Sequence, residues 1–381
     1  MSDATRLLHT EAAREPLLRT VGPAIQKGST VLLPDAASLY DAPVTYGREG
    51  LGTHEALVNG LAALERAAAV KLFPSGLAAL AGALTAVLAA GDEILVTDAI
   101  YKPTRRFCDR VLGRFGVKTR YYPPRAAAAE LEALLTPRTR LIVMESPGSL
   151  TFEMPDAPAI AAMARARGVL TLIDNTWAAG LYFRPLDHGV DLSVQALTKY
   201  VGGHSDVFMG SVATNDPTMA TALDAAVLDF GWAVSPEDAY MMLRGLRTLP
   251  TRLARHDASA RQVAGWLVGH PAVGQVLHPA LPQSPDHAIW RRDFVGAGGL
   301  FAFTLAPGRS PPTEAFLDRL TLFGLGYSWG GYESLALNCD PQFGSRLTTP
   351  DFAGPLIRLS IGLEDPTDLI SDLDRALTGA S

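Results

Sequence analysis

Two apolar runs, each closed by an ionisable residue, constrain this chain most. Residues 169–173, Val-Leu-Thr-Leu-Ile, run into Asp174, and residues 192–197, Leu-Ser-Val-Gln-Ala-Leu, run into Thr198-Lys199, 25 positions beyond the Asp. Runs of this kind read as strands buried on both faces, the state of strands in a parallel sheet. The carboxyl ends of such strands border the ligand crevice of an open α/β sheet. A lysine amine there can form a Schiff base with an aldehyde cofactor, and a carboxylate opposite can hold a protonated pyridine nitrogen. That pairing is what pyridoxal 5'-phosphate (PLP) requires. Two plainer readings stand beside it on these residues alone. An Asp after a strand is often a helix N-cap, and a Lys before Gly202-Gly203 is often solvated.

The surrounding pattern extends the sheet. Strands are expected at 70–73, 93–97, 117–122, 140–144 and 207–214, and helices at 56–66, 78–90, 103–113, 127–135 and 157–167. Alternation of this kind predicts a parallel, doubly wound α/β sheet. Helices follow at 216–229 and 236–269. A smaller α+β unit then has strands near 299–305, 335–338 and 356–361 and helices near 312–321 and 366–377. A length of 381 residues fits more than one domain. The expected division is an N-terminal arm at 1–60, a cofactor-binding large domain at 61–245 and a C-terminal small domain at 246–381.

The arm carries Pro16, Pro23, Pro34 and Pro43 and no clear periodicity. So long an irregular stretch is seldom structureless in a compact protein, and wrapping a neighbouring subunit would explain it. Within it Tyr46 and Arg48 are either part of a solvated turn or a means of reaching an anion in the partner's site, a task that suits a guanidinium. After the strand at 70–73, Pro74-Ser75-Gly76-Leu77 opens a helix, an anion-binding geometry but not a dinucleotide fingerprint. Tyr101 follows the strand at 93–97 and is placed to stack on a planar group or to be an ordinary half-buried Tyr. Arg244, Arg247, Arg252 and Arg255 on the long helix read as a solvated or interface face. Arg358, inside an apolar strand, needs a partner: an internal carboxylate or the carboxylate of a ligand.

Composition closes off other classes. The net charge is −6 and no block of like charges occurs, which argues against a nucleic-acid or anionic-membrane partner. Cys108 and Cys339 are too few for a disulfide framework or a zinc site, so no metal is expected, and a reduced, cytoplasmic setting is. No apolar run reaches membrane-span length; 77–90 is short and rich in Ala.

Several motifs stand in one order: Tyr46-Gly-Arg48, Phe73-Pro-Ser75-Gly76-Leu77-Ala-Ala, Tyr101, Glu145-Ser-Pro-Gly-Ser-Leu-Thr-Phe-Glu, Asp174-Asn-Thr-Trp, Thr198-Lys199-Tyr, Gly326-Tyr-Ser328-Trp329-Gly-Gly-Tyr-Glu-Ser and Leu356-Ile-Arg358-Leu-Ser-Ile-Gly-Leu-Glu. In them, over nearly its whole length, the chain resembles the Cys/Met-metabolism family of PLP enzymes and its bacterial cystathionine beta-lyase branch. The resemblance implies an aspartate-aminotransferase-like (fold type I) fold and PLP-dependent β-elimination from L-cystathionine, L-cysteine or a related thioether amino acid. A γ-acting member is the alternative. It implies Lys199 as the Schiff-base lysine, Asp174 on the pyridine nitrogen and Tyr101 stacked on the ring, these three forming the catalytic set. Gly76, Leu77 and Thr198 would hold the phosphate, joined by Tyr46 and Arg48 of the neighbouring subunit. Arg358 would bind the substrate α-carboxylate, with Ser328, Trp329 and Tyr46 nearby. A homotetramer, a dimer of dimers with shared active sites, is implied as well.

Departures from the family pattern refine this. Pro103 stands where methionine gamma-lyases carry a Cys, and Ala196 where many γ-acting relatives have a Ser. Glu49 follows Arg48, and an acid there would repel a distal substrate carboxylate, which leaves room for cysteine or another thioether.

Overall fold

The computed structural model describes residues 2–8, 20–348 and 350–379. Residues 9–19 of the arm, with Pro16, lie outside them.

Seven strands form the larger sheet: β1 (Ala69–Phe73), β2 (Glu93–Thr97), β3 (Lys118–Tyr122), β4 (Thr139–Glu145), β5 (Leu170–Asp174), β6 (Leu192–Gln195) and β7 (Gly210–Thr214). Their order is β1-β7-β6-β5-β4-β2-β3. All neighbours pair in parallel except around β7, which is antiparallel to both β6 and β1. Two reversals restore direction, so β1 runs with the other five. The carboxyl ends of β1, β2, β4, β5 and β6 therefore share one edge, and the loops that carry Gly76, Tyr101, Glu145, Asp174 and Lys199 leave from it.

Burial explains why these strands read as unbroken apolar runs. In β4, Leu141 and Val143 enter one core while Ile142 and Met144 enter another on the opposite face. The period of two puts alternate residues into two separate cores. The helices Gly76–Val87 and Pro217–Asp229 cover the first face.

Polar residues within β6 have a different reason. Leu192 and Val194 face the apolar core, and Ser193 and Gln195 face the end of the helix Gly52–Glu65. There the Glu65 carboxyl accepts bonds from the Ser193 hydroxyl and the Gln195 amide while only 2% exposed. Burial pushes its pKa up from 4.5 to about 7, against those two bonds. The folded chain thus keeps this proton longer than the unfolded one. Stability falls as pH rises from the unfolded value through about 7, and the loss is complete above it. Glu65→Gln should remove that slope and exceed the parent at pH 8 by up to about 3 kcal/mol in urea unfolding of the apoprotein.

A second, smaller sheet holds β8 (Val273–Leu277), β9 (Leu300–Leu305), β10 (Gly324–Leu325), β11 (Leu335–Asn338) and β12 (Leu356–Ser360), in the order β10-β11-β12-β9-β8. The 33-residue helix Pro236–Val268 packs on both parts: Leu246 and Leu249 lie in a core with β1 and the Lys199 loop, and Val263 and Leu267 lie in the core under the smaller sheet.

Several boundaries moved. The helix expected at 103–113 ends at Phe107 and passes into a π-helical turn at Cys108–Leu112. The strand expected at 207–214 begins only at Gly210 and is antiparallel. The helix expected at 56–66 starts at Gly52, with the His54 ring accepting the Leu51 N–H, and the arm expected to be irregular holds two short helices, Asp3–Leu8 and Ser38–Asp41. β8 and the helix His287–Asp293 gave no periodic signal strong enough to read.

Candidate active site

Asp174 ends β5, and its neighbour across the ladder in β4 is Glu145. The Asp174 carboxylate is buried. Its Oδ1 accepts the Thr176 N–H at 3.0 Å and the Thr176 hydroxyl. The same hydroxyl oxygen accepts the Ala196 N–H at 2.9 Å, tying the end of β5 to the loop that carries Lys199. Oδ2 has no hydrogen-bond partner among the described residues. Burial raises the Asp174 pKa, and the Thr176 bonds and the Lys199 charge oppose it. A buried carboxylate with one unpartnered oxygen suits a cationic N–H donor.

Lys199 lies in the connection from β6 to β7. Its Nζ donates to Ser328 Oγ at 2.9 Å and stands 5.6 Å from the centre of the Trp329 ring. Burial, and then the Arg358 charge, lower the amine from 10.5 to about 8, while Asp174 pulls the other way. Gly330 lets the loop from the smaller sheet come this close. Its φ is +83°, and a Cβ there would lie 3.0 Å from the Tyr200 nitrogen and 3.2 Å from Lys199 Cα.

Arg358 sits in β12, only 9% exposed. Its Nη2 donates to the carbonyls of Tyr327 and Ser328 at 2.8 and 3.2 Å, and it makes no ion pair among the described residues. Of the two partners open to it from sequence, an internal carboxylate is therefore not the one found. Tyr101 is 45% exposed at the end of the β2 loop. Burial and the fields of Asp174 and Glu145 raise its phenol pKa, and Arg358 acts in the opposite sense, so all three charges lie within electrostatic reach of the ring.

The phosphate-binding candidates divide. Gly76 and Leu77 open the 12-residue helix, and their N–H groups have no partner among the described residues, while Ser75 Oγ caps the Ala78 N–H at 3.1 Å. The Thr198 hydroxyl is already engaged: it accepts the Met209 N–H at 3.0 Å and donates to the Met209 carbonyl at 3.2 Å. Tyr46 and Arg48 are exposed and make no hydrogen bond to the Lys199 cluster of their own chain; Arg48 donates to the Leu228 carbonyl at 3.3 Å. Glu49 turns back on Thr45, accepting its N–H and its hydroxyl.

One reading is corrected. Arg252 is not on a solvated face. It is buried and spends its donors on the carbonyls of Tyr200 (2.7 Å), Val201 (3.1 Å) and Gly245 (2.8 Å) and on Thr248 Oγ (3.0 Å). It clamps the backbone just after Lys199. Its place among Leu246, Leu249 and Leu253 was the available signal, since a cation on an apolar stripe must be satisfied internally. Glu145 was also missed, although it ends an apolar strand just as Asp174 does. Thr176 gave no signal at all.

These groups define a class: an α/β protein with a buried carboxylate and a lysine, each feeling the other's charge, at the carboxyl edge of its larger sheet. The family model for Cys/Met metabolism PLP-dependent enzymes matches residues 4–378, and the chain belongs to that family. The chain is 47% identical to a putative cystathionine beta-lyase of Rhizobium johnstonii, over 95% of this chain and 92% of that one. It is 41% identical to the cystathionine beta-lyase MetC of Escherichia coli, over 97% and 96%. The solved structure of metB from Corynebacterium glutamicum superposes with a TM-score of 0.93 at 31% identity, covering 100% of this chain and 99% of that one. The fold is thus the expected fold type I, and the cofactor is pyridoxal phosphate. No helix among the described residues is long and apolar enough to cross a membrane.

Proposed function

We propose that this protein is a PLP-dependent carbon–sulfur lyase that eliminates the β-substituent of L-cystathionine, and of L-cysteine or related thioether amino acids, to give a thiol, pyruvate and ammonia. The observation that carries the reading is the crevice itself. A lysine amine lowered to about 8 stands near a carboxylate with a free oxygen, a buried arginine with no ion-pair partner among the described residues and a half-exposed tyrosine.

Pyridoxal phosphate, when bound, supplies the electron sink for negative charge at the substrate α-carbon. The free Oδ2 of Asp174 fits the proton of the pyridine nitrogen. The unpartnered amides of Gly76 and Leu77 fit the phosphate, where Thr198 could donate only by giving up its bond to Met209. Tyr101 would stack on the cofactor ring. Arg358, itself only 9% exposed, binds the α-carboxylate as a charge-assisted pair. It would thereby fix the orientation of the bonds at the substrate α-carbon. Lys199 takes the α-proton as a general base. Ser328 Oγ, 2.9 Å from its Nζ, keeps the amine aimed when it is free. The proton needed by the leaving sulfur then comes from protonated Lys199 or from Tyr101, whose raised pKa keeps its phenol protonated at neutral pH.

Tyr46 and Arg48 serve the site of a neighbouring copy in a homotetramer built as a dimer of dimers. The exposure of Val21 (98%), Leu32 (92%) and Tyr40 (89%) along the arm supports a partner surface there. Free, buried Cys108 and Cys339 suit a reducing cytoplasm.

The test is pyruvate release by purified protein with PLP, on L-cystathionine and on L-cysteine. Faster turnover of cystathionine is expected. Faster turnover of cysteine would keep the lyase and move its role to desulfhydration. No pyruvate from either, with γ-replacement product from an O-acyl homoserine and cysteine, would replace this reading with the γ-acting one.

A further inference from the structure

Two carboxyl groups, not one, stand at the crevice, and the reaction above uses only Asp174. The other, Glu145, is its ladder neighbour. Both Glu145 oxygens are bonded. Oε2 accepts the Tyr101 backbone N–H at 2.7 Å, and Oε1 accepts the Ser149 hydroxyl. No cation is ion-paired to it among the described residues. Burial and the Asp174 charge push its pKa well up, and the bonds from Ser149 and Tyr101 and the more distant Arg346 charge oppose this.

Tyr101 depends on this contact more than its own helix suggests. It is the N-cap of the helix Lys102–Phe107, yet no side chain of its own turn caps that end. Its phenol oxygen has no hydrogen-bond partner among the described residues, so the ring is placed by its backbone. That backbone is suspended from the β4 loop at two points: Glu145 takes the Tyr101 N–H, and the Ser149 N–H donates to the Ala99 carbonyl at 2.9 Å. We propose that Glu145 is the positioning residue for Tyr101: its carboxyl holds the Tyr101 amide and so sets where the ring lies over the cofactor. This rests on the reading of Tyr101 as the stacking residue.

A double-mutant cycle on PLP binding tests it, with the dissociation constant from fluorescence titration of apoprotein and the visible circular dichroism of bound PLP as readouts. Tyr101→Ala should weaken PLP about 10-fold, and Glu145→Ala by a similar factor. The double variant should bind no worse than Tyr101→Ala alone, because both changes remove the same contact. Glu145→Gln keeps a carbonyl acceptor for the Tyr101 amide and should stay within about 3-fold of the parent, with its dichroic band intact. It also serves should the Ala variant fail to fold. Losses that add in the double variant, or Gln behaving as badly as Ala, would overturn the proposal and leave the stacking role in place. A Tyr101→Ala variant that binds PLP as the parent does would overturn the stacking role and the proposal together.

Discussion

Lys199→Ala is expected to lower pyruvate release by about two to four orders of magnitude, the range that a positioned general base supplies. PLP should still be retained through Asp174 and the phosphate-binding amides, so lost turnover with retained cofactor separates lost chemistry from lost folding. The parent protein offers a further check through its pH dependence. A free amine is the reactive form of lysine. With its pKa near 8, about a quarter of Lys199 is free at pH 7.5, against about 0.1% for a lysine at its ordinary value. The rate at which apoprotein takes up PLP should therefore rise with pH and level off above about 8. A rise continuing past pH 10 would mean that burial and Arg358 do not act on this amine as the structure implies.

The second large effect is at Asp174. In Asp174→Asn the Thr176 donors would keep the amide oxygen on their side and turn the NH2 group toward the crevice, so a donor would face the pyridine nitrogen where an acceptor is needed. Turnover should fall by about two to three orders of magnitude, the scale of losing one aimed electrostatic contact. The apoprotein should meanwhile melt at a higher temperature, because the substitution removes a buried carboxylate whose charged form is disfavoured beside Glu145. Activity and stability moving in opposite directions would mark Asp174 as strained for function. A variant both inactive and less stable would point to a structural role instead.

Much of this was legible in the chain because the same physics wrote both records. Strands buried on two faces show as unbroken apolar runs, and the candidate groups sit where those runs stop; Asp174, Tyr101 and the Gly76-Leu77 turn all obey that rule. Arg358 was legible as a cation inside a strand, although its partner was not. What sequence could not carry was pairing at long range. The Lys199–Ser328 bond joins residues 129 positions apart. The Arg252 clamp depends on which face of a long helix meets a loop 51 and 52 positions earlier. The reversal of β7 depends on sheet order, which periodicity does not encode. Glu145 obeyed the strand-end rule as well as Asp174 did, and was passed over because one carboxylate already satisfied the chemistry.

The loop 326–334 and β12 bring Ser328, Trp329 and Arg358 from the smaller sheet to a lysine rooted in the larger one. On the assignment proposed here, the cofactor is gripped by one jaw and the amino acid by the other. Slight loosening between the jaws, as in mild urea, should then leave a protein that is still yellow with PLP and has lost its hold on substrate. Such a protein would be a cofactor carrier, no longer an enzyme.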